Sequence, residues 1–151
     1  MTPNEKAFLD TIAFSEGTYG KGDDGYNVLV GGSFFDGYDD HPRISVYLPS
    51  LNIHSTAAGR YQILERNFDA YKSLLGLPDF SPESQDGIAW QLIKESGAVD
   101  DVEAGNFDSA AAKCAHIWAS LPGAGYGQHE NKLDALREFF VNVGGTLAVQ
   151  A

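Results

Sequence analysis

Glu16 stands where a carboxylate is unusual. Leu9, Ile12, Ala13 and Glu16 recur at helical spacing, so a carboxyl group closes an otherwise apolar stripe. Burial among apolar neighbours disfavours the ionised form, and the negative end of a helix dipole disfavours it again. Both effects predict a carboxylic acid that holds its proton near neutral pH. A glycosidic oxygen needs such a donor, because an alkoxide leaves poorly unless it is protonated as the bond breaks. A solvated glutamate at a frayed helix end is the competing reading.

Two further stretches carry groups suited to a glycan. Ala57-Ala58-Gly59-Arg60-Tyr61-Gln62 reads as a helix opening in which Gly59 allows close approach of a polymer. Gln62 offers both a donor and an acceptor for an acetamido group, with Tyr61 beside it as a second candidate contact. Leu121 to Gln128 surrounds Tyr126 with three glycines and ends on Gln128, a composition suited to a sugar-stacking platform or to a plain flexible connector. His41, His54, His116 and His129 match no compact zinc spacing, and Cys114 and His116 point to different faces of a helix, so no metal site is expected. Asp36, Asp39 and Asp40 lack the register and closing glutamate of a calcium loop. No cofactor is called for.

These residues need elements to position them. Thr2-Pro3-Asn4-Glu5 has the pattern of a capping box with proline at the first helical position, and Gly17 can end that helix. From Gly20 to His54 the pattern changes to short β segments, Tyr26 to Val30 and Ile44 to Leu48, separated by glycine- and aspartate-rich loops. Helical patterns follow over Arg60 to Leu75, from the Ser81-Pro82 cap to Gly97, from Asp108 through Cys114 to Trp118, and over Asn131 to Val141. Trp90 and Trp118 fall at core positions. The fold class is α+β: a mainly helical lobe with a small antiparallel β lobe of two or three strands, in a single domain over residues 1–151.

Composition narrows the partners. A chain of 151 residues, 43% hydrophobic and 21% charged, can bury a core without staples, and a lone Cys114 permits no internal disulfide. The formal net charge of -11 repels phosphate backbones and anionic membranes, so no nucleic acid and no membrane insertion are expected. The acid clusters at Asp36 to Asp40 and Asp100 to Asp108 read as solvated loops. The first thirty residues hold neither a secretory signal nor a spanning stretch, so synthesis is expected in the cytoplasm.

Ala7-Phe8-Leu9 through Ser15-Glu16-Gly17-Thr18 resembles the opening of the phage lambda endolysin family, whose members are lytic transglycosylases of the lysozyme-like superfamily. Val30-Gly31-Gly32, Asp40-His41-Pro42-Arg43, and Ser55-Thr56 leading into Gly59-Arg60-Tyr61-Gln62 are similar to it as well. So are Asp79-Phe80-Ser81-Pro82, Ser84-Gln85-Asp86, and Ile117 to Leu121 running on through Gly127-Gln128. The resemblance covers nearly the whole chain in one order. It implies a lysozyme-like fold with a cleft between the β lobe and the helical lobe, and cleavage of the MurNAc–GlcNAc β-1,4 bond of peptidoglycan with formation of a 1,6-anhydromuramoyl end. It implies that Glu16 is catalytic and that Gln62 and Tyr126 lie in or beside the cleft; Tyr61, Gln128 and Asn27 are further candidate substrate contacts. It also implies a monomer, made in the host cytoplasm, that depends on a holin for release and acts in the periplasm or cell wall. Two departures stand out. Asn27 occupies a position where the family has an aspartate, and the family enzyme is not acidic.

A hydrolase needs a second carboxylate, as nucleophile or as base toward water; a transglycosylase does not. Glu16 alone can protonate the leaving oxygen and then deprotonate the sugar's own 6-hydroxyl. A true lysozyme using an aspartate from residues 23–40 and a non-catalytic wall-binding virion domain are the alternatives.

Overall fold

The computed structural model describes residues 1–123 and 130–149. In chain order the elements are α1 (Pro3–Glu16), β1 (Val46–Leu48), β2 (Ile53–Ser55), α2 (Glu65–Leu75), α3 (Pro82–Glu95), α4 (Val99–Ala104), α5 (Phe107–Cys114) and α6 (Leu133–Asn142). The class is α+β, with one two-stranded antiparallel sheet among the described residues. No described helix is long and apolar enough to cross a membrane. The chain forms two compact units: Met1–Ser15 with Trp90–Ala151, and Glu16–Ala89.

In the first unit, α1 begins as its capping pattern predicts: the Glu5 amide donates to Thr2 Oγ1 over 3.1 Å. Its inward face buries Ala7, Phe8, Leu9, Ile12 and Ala13. Phe8 meets Phe107 of α5 edge-on at 5.9 Å, and Phe107 meets Phe140 of α6 at 5.2 Å. Asn4 ties the start of α1 to the end of the chain. Its amide nitrogen donates to the carbonyls of Val102 and Thr146, and its oxygen accepts the Thr146 amide at 2.8 Å. Gly105 is required at that junction, since its φ is +78° and a Cβ there would collide with the Thr146 carbonyl.

The acidic stretch from Asp100 to Asp108 is more ordered than a solvated loop. Asp100 and Asp101 occupy the first turn of the short α4, where carboxylates complement the dipole. Asp101 pairs with Lys113 at 2.6 Å, and Asp108 pairs with Arg137 at 2.9 Å.

In the second unit, β1 pairs β2 with Val46 opposite Ser55 and Leu48 opposite Ile53. The expected strand over Tyr26 to Val30 is instead a series of turns carrying isolated bridges, Val28 to Phe34 and Leu29 to Ala58. Left-handed glycines at 25, 31 and 32 leave too short an extended run for a ladder, so its hydrogen bonds go to Ser33, Ala57 and Gly59. The helix expected from Arg60 starts later, at Glu65. Gly59 and Gln62 both have positive φ, +83° and +53°, and Ala58 and Ile63 exchange backbone hydrogen bonds across the turn between them. From Glu65 onward the pattern holds, and α2 ends on Gly76 in the left-handed region as predicted. The first acidic cluster is also pinned: Arg43 reaches Asp40, Glu65 and Asp69 at 2.8, 3.1 and 2.6 Å.

Candidate active site

Glu16 is the last residue of α1, half-buried, and the left-handed Gly17 turns the chain immediately after it. The glutamate lines a pocket of about 260 Å³ together with Thr18, Lys21, Leu29, Gly32 and Gln62, among others. Among the described residues that line that pocket, Glu16 is the only one that carries a carboxylate.

The floor behind Glu16 is fixed by buried polar groups. Thr18 is 1% exposed and donates from Oγ1 to the Arg60 carbonyl at 2.6 Å. A Cβ at Gly25 would come within 2.7 Å of the Thr18 carbonyl, so this approach needs glycine. Between them the loop folds on itself. The Lys21 amide donates to Thr18 O, the Gly20 amide to Asp24 Oδ1, and the Asp23 amide to Asn27 Oδ1. Asn27, expected at the substrate, therefore braces this loop with its side-chain oxygen, and it does not line the pocket.

Tyr61 is also placed differently from the expectation. It is 1% exposed, and its hydroxyl donates to Asp86 at 2.6 Å while accepting from Arg60 Nη1 at 3.1 Å. A ring so enclosed cannot face a sugar; it supports the Gly59–Gln62 turn from behind. Burial, then the Asp86 charge, push the Tyr61 phenol well above its ordinary range, so it stays a proton donor. Arg60 is likewise internal, with Nε donating to the Asp24 carbonyl and the guanidinium 5.4 to 5.6 Å from the rings of Tyr26, Tyr19 and Tyr61.

Gln62 does reach the pocket. Its amide nitrogen donates to Gly59 O at 2.9 Å and to Val28 O at 3.3 Å. Both partners are carbonyls that can only accept, so the orientation of the amide follows and the nitrogen is committed. The side chain therefore presents its oxygen, an acceptor, where the sequence left donor and acceptor both open.

Three residues were missed by sequence reasoning. Lys21 lines the pocket and carried no motif. Gln85, fully buried, accepts the Arg60 amide at 2.9 Å and donates to the Tyr26 and Phe80 carbonyls, holding the turn in place. Asp86 gathers the hydroxyls of Tyr26 and Tyr61 at 2.8 and 2.6 Å. The Ser84-Gln85-Asp86 run was visible as part of the resemblance but came with no role. Tyr126 and Gln128 lie outside the described residues.

The chain matches the endolysin family over residues 6–147. It is 52% identical to the endolysin of Escherichia phage lambda over 94% of this chain and 92% of that one, and 45% identical to the endolysin of Escherichia phage P2 over 96% and 95%. The chain belongs to the endolysin family. A structure of bacteriophage lambda lysozyme complexed with a chitohexasaccharide superposes with a TM-score of 0.93 at 50% identity, covering 97% of each chain. A second lambda lysozyme structure gives 0.89. The α+β fold is thus lysozyme-like, and family membership makes the chain a phage-type cell-wall lytic enzyme acting on peptidoglycan.

Proposed function

We propose that the chain is a lytic transglycosylase that cleaves the MurNAc–GlcNAc β-1,4 bond and leaves a 1,6-anhydroMurNAc end. The observation that carries this reading is that Glu16 supplies the single carboxylate among the described residues lining the pocket. A hydrolase would need a partner, and the aspartates of residues 23–40 are engaged elsewhere or stand apart. Asp23 accepts the Tyr38 hydroxyl, Asp24 accepts the Gly20 amide, Asp40 binds Arg43, and none of them lines the pocket.

One carboxyl group suffices for the proposed chemistry. Glu16 gives its proton to the glycosidic oxygen as the C1–O bond breaks, and the bonding electrons leave with that oxygen. The carbonyl oxygen of the 2-acetamido group stabilises the positive charge at C1. The Glu16 carboxylate then takes the proton of the 6-hydroxyl as O6 bonds to C1, which closes the anhydro ring and restores the acid. The Gln62 oxygen accepts from an acetamido N–H and holds a sugar in register. Glycan binding is supported by the lambda lysozyme relative solved with a chitohexasaccharide. In this proposal the enzyme is a monomer made in the host cytoplasm and released by a holin to act in the periplasm or wall, a reading that rests on endolysin membership.

Glu16→Gln tests the assignment of the acid. The amide keeps the shape but cannot carry the proton, so lytic rate on purified peptidoglycan should fall by about a hundredfold or more, at unchanged melting temperature. Turnover close to wild type would remove Glu16 from the mechanism.

A further inference from the structure

We infer that Lys21 is a specificity residue, binding a carboxylate carried on the lactyl arm of the muramoyl sugar at the scissile bond. The inference rests on the peptidoglycan reading above and adds the chemical class of the group recognised.

Lys21 lines the same pocket as Glu16 and Gln62. Lys6 lies against Asp10 and Lys113 against Asp101, each at 2.7 Å or less, whereas Lys21, Arg66, Lys72, Lys94 and Lys132 make no ion pair among the described residues. Of these five, it is Lys21 that lines the pocket. Among the described residues no carboxylate lies within 4.0 Å of its ammonium, although Asp23 and Asp24 follow it directly in sequence. Those two acids are turned to other partners. Asp23 accepts the Tyr38 hydroxyl, while Asp24 accepts the Gly20 amide and sits 3.5 Å from Arg60.

The backbone under Lys21 is held on both sides. Its amide donates to Thr18 O at 3.1 Å, and its carbonyl accepts the Gly25 amide at 2.6 Å. The loop therefore holds Lys21, with no carboxylate within 4.0 Å of its ammonium among the described residues, at the pocket that contains the acid.

An unsubstituted N-acetylglucosamine chain offers this ammonium only hydroxyls and amides. N-acetylmuramic acid adds an ether-linked lactyl group at O3, which ends either in its own carboxylate or, through an amide, in a stem peptide bearing carboxylates. A charge-assisted hydrogen bond to that group would favour muramoyl-containing strands over neutral ones.

The test crosses enzyme and substrate variants. Wild type and Lys21→Gln are compared on native glycan strands and on strands whose carboxylates have been converted to amides, with kcat/KM read from released fragments. The expected result is a loss of about tenfold for Lys21→Gln on native strands and no difference between the two enzymes on amidated strands. Lys21→Arg should recover most of the native rate. Strands stripped of peptide, with the lactyl carboxylate bare, locate the contact. If the loss persists there, the lactyl carboxylate itself is bound; if it appears only on peptide-bearing strands, the stem peptide is. Equal losses on native and amidated strands, or no loss on either, would overturn the inference while leaving the peptidoglycan reading intact. Failure of wild type to release any fragment from native strands would overturn both.

Discussion

The side-chain amide of Asn131 donates to the carbonyl of Ser15 over 3.0 Å, one residue before Glu16. That carbonyl belongs to the last turn of α1, where no further helical amide can reach it. The same nitrogen lies 3.1 Å from Ser15 Oγ, which shares a 2.7 Å hydrogen bond with Ser120 Oγ, and the Asn131 backbone amide donates to the Ser120 carbonyl at 2.8 Å. The peptide unit that carries the Glu16 nitrogen is thereby fixed from one side.

Asn131→Asp should therefore be worse than Asn131→Ala. Aspartate keeps the shape but turns an acceptor oxygen toward the Ser15 carbonyl oxygen, leaving Ser15 O unpaired. A loss of about 1 to 3 kcal/mol in unfolding free energy is expected for Asp, and a smaller one for Ala. Denaturant midpoints measured on both variants decide the order. Alanine costing more than aspartate would mean that packing, not the donor, is what Asn131 contributes.

Gln62 holds its position in the left-handed region at φ +53° while its amide nitrogen serves two carbonyls. Gln62→Ala and Gln62→Gly both remove the oxygen offered to the glycan, and both should weaken oligosaccharide binding. Only glycine relieves the backbone. The glycine variant should be the more stable of the two by about 1 kcal/mol. Binding retained in either variant would take Gln62 out of the substrate site.

What the sequence shows and conceals divides along physical lines. The start of α1 is legible because Thr2, Pro3 and Glu5 act locally, and the Thr2 to Glu5 bond is in place. The end of α2 is legible for the same reason, through Gly76. Arg60 to Gln62 was misread as helical because nothing in the local pattern reveals that a glutamine will adopt a positive φ. That conformation is held by long-range partners: Gln85 on the Arg60 amide and Thr18 on the Arg60 carbonyl. Tyr61 next to Gln62 invites a substrate role by adjacency, yet its hydroxyl is spent on Asp86, twenty-five residues away. Glu16 stands out as a candidate through its apolar stripe; the place of Lys21 on the same pocket does not, because no local pattern brings residue 21 to Gly32 and Gln62.

His41 gives the fold a pH dependence distinct from that of its carboxylates. It is 2% exposed; Nδ1 accepts the Arg43 amide at 3.0 Å, so Nε2 carries the hydrogen donated to the Ile63 carbonyl at 2.9 Å. Burial, the largest cause, lowers its pKa below the ordinary value of 6.5. The unfolded chain then binds the proton more readily than the folded one. The associated stability is fully present above the unfolded pKa and is lost as pH falls from about 6.5 toward the lower folded value. Asp40, Asp79 and Asp101, held low by hydrogen-bonding or ion-pair partners, lose theirs only as pH falls through the ordinary carboxylate range and below it. Melting temperature should decline between about pH 7 and pH 5, and His41→Gln should flatten that decline whatever its absolute stability. An unchanged slope in the variant would show that another group titrates there.

Mass analysis of the soluble muropeptides released from purified peptidoglycan tests single-carboxylate chemistry at Glu16 most directly. Attack by the sugar's own 6-hydroxyl leaves ends lighter by one water than hydrolytic ends, and resistant to borohydride. The expected product is 1,6-anhydroMurNAc throughout, from the first time point. Reducing MurNAc ends as the primary product would contradict it, since water would then be the attacking group in place of the 6-hydroxyl.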